Sequence, residues 1–139
     1  MHKLKDYLCD EKYIKLNSVN YINHNDSLET DVSLNCEDEM EFKYHNYSIE
    51  IVVTRCVDFK PKSLFEIKIS YSIIHNIDEK YHGNFKIDDF NLHEEINSDL
   101  EYFVPNEMDR VSLIISQITD SFEGRPLITP PQFIFKNNK

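Results

Sequence analysis

The sequence contains few groups with the spacing that metal binding requires. The segment His93-Glu94-Glu95-Ile96-Asn97 approaches the His-Glu-x-x-His zinc signature, but Asn97 stands where the second His would be needed on the same helix face. His75 and His82 flank a loop and could meet a carboxylate such as Asp78. Loop histidines are far more often solvated than metal ligands. We therefore predict no metal site.

The sequence also lacks the motifs that support nucleophilic catalysis, phosphate binding or acid–base catalysis. No Ser lies in a Gly-x-Ser-x-Gly turn, and the two Gly in the chain cannot build a glycine-rich phosphate loop. The acid pairs Asp88-Asp89 and Glu94-Glu95 have nothing in the sequence that would bury them, as carboxylate catalysis requires. Cys9, Cys36 and Cys56 have no metal or redox spacing and are predicted to be reduced thiols. We predict a protein that is not an enzyme and has no cofactor.

The charge is strongly negative and unevenly placed. A net charge of −10 and a pI near 4.9 argue against nucleic acid as a partner, because phosphate binding needs clustered Lys and Arg. Eight acids and no Lys or Arg lie between Ile87 and Asp109. Such stretches are usually solvated faces that keep a protein soluble. A second acidic cluster is interpreted as a candidate docking face for a basic partner: Glu37, Asp38, Glu39 and Glu41.

The sequence predicts a cytoplasmic protein without membrane insertion. No apolar run approaches the ~20 residues that a membrane span needs. The N-terminal Met-His-Lys-Leu-Lys-Asp has no apolar segment behind its charges, so it does not match a secretory signal.

Two alternating segments give the clearest structural pattern. In 47–59, alternate residues share a face, and 64–77 repeats the alternation from Phe65 to Ile73; the shared face of the first segment consists of Tyr47, Ile49, Ile51, Val53, Arg55 and Val57. A four-residue turn containing Pro61 joins them, which predicts an antiparallel hairpin. Less regular strands are predicted over 13–23, with a bend near Asn17-Ser18, and over 30–44.

A helix and an extended tail follow the strands. An apolar stripe predicts the main helix, ended by Gly124, and Pro130-Pro131 forces the next segment to be extended. The stripe consists of Met108, Val111, Ile114, Ile115, Ile118 and Phe122. Strands followed by helices predict an α+β domain with a helix on one face of an antiparallel sheet. The predicted single domain, 1–139, divides into an N-terminal arm (1–12), antiparallel strands (13–77), an acidic loop or short-helix insertion (78–104), the main helix (105–124) and an extended Pro-rich tail (125–139).

The tail is too apolar for an ordinary exposed terminus. Its apolar residues are Leu127, Ile128, Phe133, Ile134 and Phe135. At least half of them are expected to close the domain's own core. The others are expected to line a groove or an oligomer interface, as exposed apolar patches often do.

Several of these residues carry a resemblance to a known family. The chain resembles a divergent member of the SecB export-chaperone family, which includes SecB-like chaperones associated with toxin–antitoxin pairs. The similar segments are Tyr13 to Val19, Ile49 to Val53, Leu64-Phe65-Glu66-Ile67 with Ser70 to Ile73, Pro105-Asn106, Ile114-Ile115-Ser116, Gly124 to Ile128 and Pro130-Pro131-Gln132-Phe133. The chain departs from the family pattern by lacking an aromatic-Pro-aromatic helix start, by an apparent insertion at 78–89, and by ending at Lys139 with the family's second long helix absent or reduced.

The resemblance implies a fold and a function. The implied fold is a four-stranded antiparallel sheet with helices on one face, assembled as a homo-oligomer, either a dimer or a tetramer. The implied activity is ATP-independent holding of unfolded polypeptides, with a translocase ATPase as a further partner. The client would be an export-bound preprotein or a cognate antitoxin. As client-groove or interface residues we predict Leu127, Ile128, Phe133, Phe135, Phe122 and Tyr71.

Two alternatives belong to other functional classes. One is a small acidic inhibitor that mimics nucleic acid and blocks a basic protein surface, supported by the acidic stretch of 87–109. The other is a hydrolase built on His75, His82 and His93. Binding by mimicry would fade with added salt, whereas apolar client binding would persist.

Overall fold

The computed structural model describes residues 3–24, 33–60, 64–104, 107–131 and 133–134. Its strands are β1 (Leu8–Asn23), β2 (Ser33–His45), β3 (Ser48–Lys60) and β4 (Phe65–Ile77). Its α-helices are α1 (Leu92–Ser98), α2 (Leu100–Phe103) and α3 (Glu107–Glu123). Short 3-10 helices span Leu4–Tyr7, Glu79–Tyr81 and Ile87–Asp89.

The four strands form one antiparallel sheet in the order β1-β4-β3-β2. The hairpin β3–β4 lies at its centre, with Ile51 opposite Ile73 and Val53 opposite Tyr71. Side chains on one face of this hairpin are buried in strict alternation, because successive residues of a strand point to opposite faces. The predicted α+β class, the four-stranded antiparallel sheet and the shared face from Ile49 to Val57, with Arg55 on it, are therefore confirmed. Tyr47 differs from the prediction, because it lies just before β3 and is 37 % exposed.

The edge strand β1 differs from the prediction at its start. It begins at Leu8, so part of the predicted arm belongs to the sheet. The predicted bend is confirmed as a shift of register between Leu16 and Ser18. The intervening Asn17 donates from Nδ2 to the Oγ of Ser72 at 2.8 Å, which holds the bulge against β4.

Helix α3 lies on the inner face of the sheet, the face that carries the core. Met108, Val111 and Ile115 are buried there, as the apolar stripe predicts. Phe122 departs from the prediction, because its side chain is 71 % exposed. The end of the helix therefore carries a stripe residue that the core does not cover.

The segment between the sheet and α3 contributes to the core as well as to the surface. Asn91 caps α1 by accepting a hydrogen bond from the Glu94 amide at 3.2 Å. Ile96 of α1 and Phe103 of α2 are buried beneath the acidic exterior. The predicted acidic loop or short-helix insertion thus folds as short helices and contributes buried residues to the core.

The described part of the tail is held against α3 and the β2–β3 side of the sheet. Thr129 is buried and accepts a hydrogen bond from Arg55 at 3.1 Å. The Ile134 carbonyl accepts from the Asp38 amide at 3.0 Å, and the Leu127 amide donates to Thr119 Oγ1 at 2.6 Å. These bonds close the inner face along the β2 edge.

Candidate functional site

A groove opens on the other side of α3, between the helix and the edge strand β1. It has a volume of about 170 Å³. Its described lining comes from three elements: Ile14 and Leu16 of β1, Tyr71 of β4, and Arg110, Val111 and Ile114 of α3. Within the part of the lining that the structure describes, the groove is therefore an apolar trough whose one charged side chain is Arg110.

The exposure of β1 explains why this trough exists. Ile14 and Leu16 lie opposite Ile73 and Tyr71 in the β1–β4 register, so they point to the inner face. That position would place them in the core if α3 covered the whole sheet. Leu16 is instead 54 % exposed. The helix covers the central strands and leaves the inner side of β1 open.

Apolar exposure extends along the whole of β1. Four of its side chains are large, apolar and at least 40 % exposed: Tyr13, Leu16, Val19 and Ile22. Leu16 and Val19 lie on the inner face of the sheet, opposite Tyr71 and Ile69, whereas Tyr13 and Ile22 lie on the outer face, opposite Ile74 and Glu66. Among the described residues, β1 is thus the strand with the most exposed large apolar side chains, and it exposes them on both faces.

Aromatic and hydrogen-bond contacts join β1 to α3 at the far end of the groove. The Tyr21 hydroxyl donates to the Glu123 carboxylate, and its ring lies 5.8 Å from the ring of Phe122 and 6.1 Å from that of Phe65. Partial burial, followed by the bond to Glu123, raises the pKa of Tyr21 to about 12. The phenol donates to Glu123 at neutral pH, and the contact holds the C-terminal end of α3 against β1.

The predicted client-binding residues occupy different places. Tyr71 is 3 % exposed and forms the groove floor, where its hydroxyl lies 2.9 Å from the Sδ of Met108. Phe122 lies at the far end of the groove beside Tyr21. Their role in binding a client stays a prediction.

The tail residues lie on the opposite flank of α3 from the groove. Leu127 and Phe133 are partly buried against the core, and Ile128 is 76 % exposed. Phe135 lies outside the described residues. The tail thus does not line the trough within the described residues, and its role as an interface stays a prediction.

Asp38 corrects the predicted acidic docking face. It is 1 % exposed, because it points to the inner face and pairs with the buried Arg55 at 2.7 Å. Glu37, Glu39 and Glu41 lie on the outer face of β2, since they alternate with Asp38 along the strand. Glu39 and Glu41 are exposed there, and Glu37 is partly buried. The docking face can therefore include these three acids but not Asp38.

The histidines considered for metal or hydrolytic chemistry have structural contacts. His75 is buried, and its Nε2 lies 3.0 Å from the Phe103 carbonyl. His82 stacks on the Tyr47 ring at 4.0 Å, and His93 is exposed on α1 beside Asn97. Across the described ranges, no group of three or more His, Cys, Asp or Glu is arranged to hold a metal ion.

The groove residues Leu16, Val111 and Ile114 were missed as site residues by reasoning from the sequence. Their apolar character was visible, and Val111 and Ile114 were assigned to the helix stripe. The signal that marks a site is the combination of an apolar inner face with an edge position in the sheet. That combination depends on the strand order, which the alternation of residues does not contain.

Comparison with known proteins identifies the fold. No protein-family model matches the chain, and no curated protein matches its sequence. One similar solved structure is the SecB-like chaperone Rv1957 of Mycobacterium tuberculosis, in complex with a ChAD peptide from the HigA1 antitoxin; the match covers 88 % of each chain at 9 % identity, with a TM-score of 0.60. A protein of unknown function from Streptococcus agalactiae matches at 15 % identity over 86 % of this chain and 96 % of that one, with a TM-score of 0.40.

The structure also bears on membrane insertion. No helix among the described residues is both long and apolar enough to cross a bilayer.

The strand order, the helix on one face of the sheet and the similarity to the mycobacterial SecB-like chaperone all lead to one conclusion about the fold. The fold of this chain is SecB-like.

Proposed function

We propose that this protein is a polypeptide-binding chaperone that holds unfolded or extended segments without ATP. The observation that carries the proposal is the open apolar trough beside β1, where Leu16 is 54 % exposed although it points to the inner face of the sheet. In most sheets that are packed on one face, a side chain that points to the packed face is buried. A partner that supplies apolar side chains would bury the inner surface of β1 that α3 leaves exposed.

The size of the trough predicts weak binding at each site. Covering an exposed apolar side chain stabilises a complex by about 1.5–3 kcal/mol, and the loss of motional freedom on association offsets much of the total. Two or three buried client side chains would therefore give low affinity and broad choice. A homo-oligomer that presents several troughs to one chain would raise the overall affinity through effective concentration.

The similar structure supports a polypeptide client. The mycobacterial SecB-like chaperone was solved with a peptide from an antitoxin. For the present chain, the proposed client is a cognate antitoxin or an export-bound preprotein. Both kinds of protein expose apolar segments before they fold. Cytoplasmic residence belongs to both versions of the proposal, and a translocase ATPase as a further partner belongs to the export version.

Light scattering tests this function directly. A reduced, aggregating substrate should scatter less when wild-type protein is present in equimolar amounts. Leu16→Asn should lose most of that protection, because it removes an exposed apolar side chain from the trough wall. The matched control is Leu113→Asn, since Leu113 is 58 % exposed on α3 and does not line the trough. Equal protection by both variants, or none by the wild type, would rule the proposed site out.

A second candidate function rests on the outer face of β2. Glu37, Glu39 and Glu41 project from that face in a row, which suits a basic protein surface. An inhibitor acting through this row would bind less tightly as salt rises, whereas trough binding would persist. Replacing all three with Gln should abolish inhibition and leave suppression of aggregation intact.

A further inference from the structure

A second pocket, polar in its lining, lies on the inner face of the sheet between β1 and α2. Its volume is about 210 Å³, and its described lining consists of Asp10 and Lys12 of β1, His75 of β4, and Glu101 and Tyr102 of α2. Lys12 and Ile14 are alternate residues of β1 and lie opposite His75 and Ile73. Because Ile14 lines the apolar trough, the pocket adjoins the trough along the same face of the same strand.

An irregularity in β1 explains why this pocket is open. Leu8 lies opposite Ile77 and Lys12 lies opposite His75, so four steps along β1 match two steps along β4. The additional residues make β1 bulge locally out of the ladder, as extra residues in one strand do. Asp10 belongs to this irregular stretch and lines the pocket.

His75 supplies a hydrogen-bond acceptor to the pocket. The residue is 2 % exposed, and its Nε2 donates to the Phe103 carbonyl at 3.0 Å, since a carbonyl oxygen can only accept. Burial lowers the pKa of the imidazole, so the ring is neutral at pH 7 and its other nitrogen, Nδ1, is an acceptor. Among the described residues, Nδ1 has no hydrogen-bond partner, and only His24 Nε2 is both unpartnered and sealed from solvent. Nδ1 is therefore reached from the pocket that His75 lines.

The charges that line the pocket are unbalanced. Two carboxylates, those of Asp10 and Glu101, line it together with one ammonium group, that of Lys12. In the part of the chain that the structure describes, none of the three forms an ion pair, whereas the neighbouring Lys5 is paired with Asp99 at 2.7 Å. The described lining therefore has one negative charge in excess.

We propose that this pocket is a subsite for one arginine side chain of a bound polypeptide. The inference rests on the proposed chaperone function and specifies part of the client. The guanidinium donates to the carboxylates of Asp10 and Glu101 and to Nδ1 of His75, because its planar group carries five N–H donors in fixed directions. Its single positive charge balances the excess negative charge of the lining.

The size and position of the pocket favour a side chain over a free ligand. Sites for drug-sized ligands have volumes of roughly 300–1,000 Å³. A pocket of about 210 Å³ suits a single side chain. Because it adjoins the trough, a segment with an Arg at one end can place the Arg here and its apolar side chains beside Ile14 and Leu16.

Peptides that differ only in one charge test the subsite. The probe is an acetylated and amidated octapeptide with Leu at alternate positions and a single Arg, placed at the N-terminal end in one version and at the C-terminal end in the other. Each version is also made with citrulline in place of Arg, which keeps nearly the same shape without the charge. Since the pocket adjoins one end of the trough, one Arg version should bind about tenfold more tightly than its citrulline counterpart, and the other version should show no such preference. Fluorescence anisotropy with the full-length protein measures the four affinities.

Substitutions in the protein have expected effects of opposite sign. Glu101→Gln should remove most of the preference for Arg over citrulline. Lys12→Met should increase that preference severalfold, because it removes the ammonium group that repels the guanidinium, and a gain of this kind cannot result from misfolding. The matched control is Glu94→Gln, since Glu94 is exposed on α1 and does not belong to the pocket lining. A weaker preference in Lys12→Met, or equal losses in Glu101→Gln and Glu94→Gln, would overturn the subsite.

The outcomes distinguish the subsite from the function on which it rests. If all four peptides bind equally and need Leu16, the arginine subsite is wrong and the trough remains the client site. If both Arg versions gain equally, the preference comes from the net negative charge of the protein, and the subsite is again wrong. If no peptide binds although the wild type suppresses aggregation, only the subsite is rejected. If the wild type also fails to suppress aggregation, both proposals are wrong.

Discussion

Arg55 and Asp38 form a two-point ion pair inside the protein. Nε of Arg55 lies 2.7 Å from Oδ1 of Asp38, and Nη2 lies 2.8 Å from Oδ2. The residues are direct neighbours across β2 and β3, and both side chains have 0 % exposure. Nη1 of Arg55 donates to Ser112, Thr129 and the Pro130 carbonyl. One buried side chain thus connects the sheet, α3 and the tail.

Removing Arg55 should be strongly destabilising. Arg55→Met leaves the Asp38 carboxylate buried without its cation, and loss of one partner of a buried pair typically costs about 3–5 kcal/mol. Urea unfolding followed by circular dichroism measures the change in free energy. The surface control, Arg125→Met at an exposed position, should stay within about 0.5 kcal/mol of wild type. A small loss for Arg55→Met would mean that the pair is not buried in solution.

The double variant Arg55→Met/Asp38→Leu should be more stable than Arg55→Met alone. It buries no uncompensated charge, although the polar contacts to Ser112 and Thr129 are lost. The same unfolding experiment, arranged as a double-mutant cycle, gives the coupling between the two residues. A strictly additive cycle would contradict a direct interaction.

Thr119 should stabilise the attachment of the tail to α3. Its Oγ1 accepts the Leu127 amide at 2.6 Å and donates to the Ile115 carbonyl at 2.9 Å, and the residue is 1 % exposed. Thr119→Val preserves the shape but leaves the amide without this acceptor, which should cost about 1–3 kcal/mol. Limited proteolysis should then cleave the tail faster. The control Thr54→Val, on the outer face of β3, should change neither property; equal effects of both variants would contradict the assignment.

Stability should fall on mild acidification because of His75. Burial lowers the pKa of its imidazole below the ordinary value of 6.5, against a smaller opposing effect of the bond to the Phe103 carbonyl. The unfolded chain therefore binds the proton more readily than the folded one. The stabilising contribution is full above pH 6.5 and is lost as pH falls through the lowered folded pKa.

Unfolding free energies between pH 8 and about pH 5 test this titration. His75→Gln should reduce the slope of stability against pH below 6.5 relative to wild type. His93→Gln, at an exposed position on α1, is the matched control for replacing a histidine with glutamine. Identical slopes for His75→Gln and wild type would show that His75 takes up no extra proton on unfolding.

The Cys56 thiol should react slowly in the folded protein. Burial, followed by the charge of Asp58, raises its pKa to about 11. At pH 8 the reactive thiolate is then only about one part in a thousand. Alkylation with iodoacetamide, followed by peptide mass spectrometry, should label Cys56 far more slowly than in urea-unfolded protein. Equal rates in the two states would contradict the predicted protection.

Local periodicity was sufficient to predict the centre of the fold. The alternation of Ile49 to Val57 and of Phe65 to Ile73 identified the inner face of β3 and β4, because side chains in a strand alternate whatever their neighbours are. The stripe Met108, Val111 and Ile115 identified the buried face of α3 for the same kind of reason. Even the buried Arg55 was placed on the correct face by its position in the alternation.

The candidate site depends on long-range packing, so the periodicity of the sequence could not predict it. Leu16 and Ile51 are both apolar residues that point to the inner face of the sheet, but one is 54 % exposed and the other 0 %. The difference arises because β1 is an edge strand and α3 covers the central strands. Asp38 shows the converse, since a residue within an acidic run is buried by its partner across the ladder, 17 positions away. The sequence by itself determined which side of each central element is apolar, through interactions a few residues apart. Only the tertiary structure decided which apolar side chains remain uncovered and which charge is buried, because both depend on strand order and on where the helix lies.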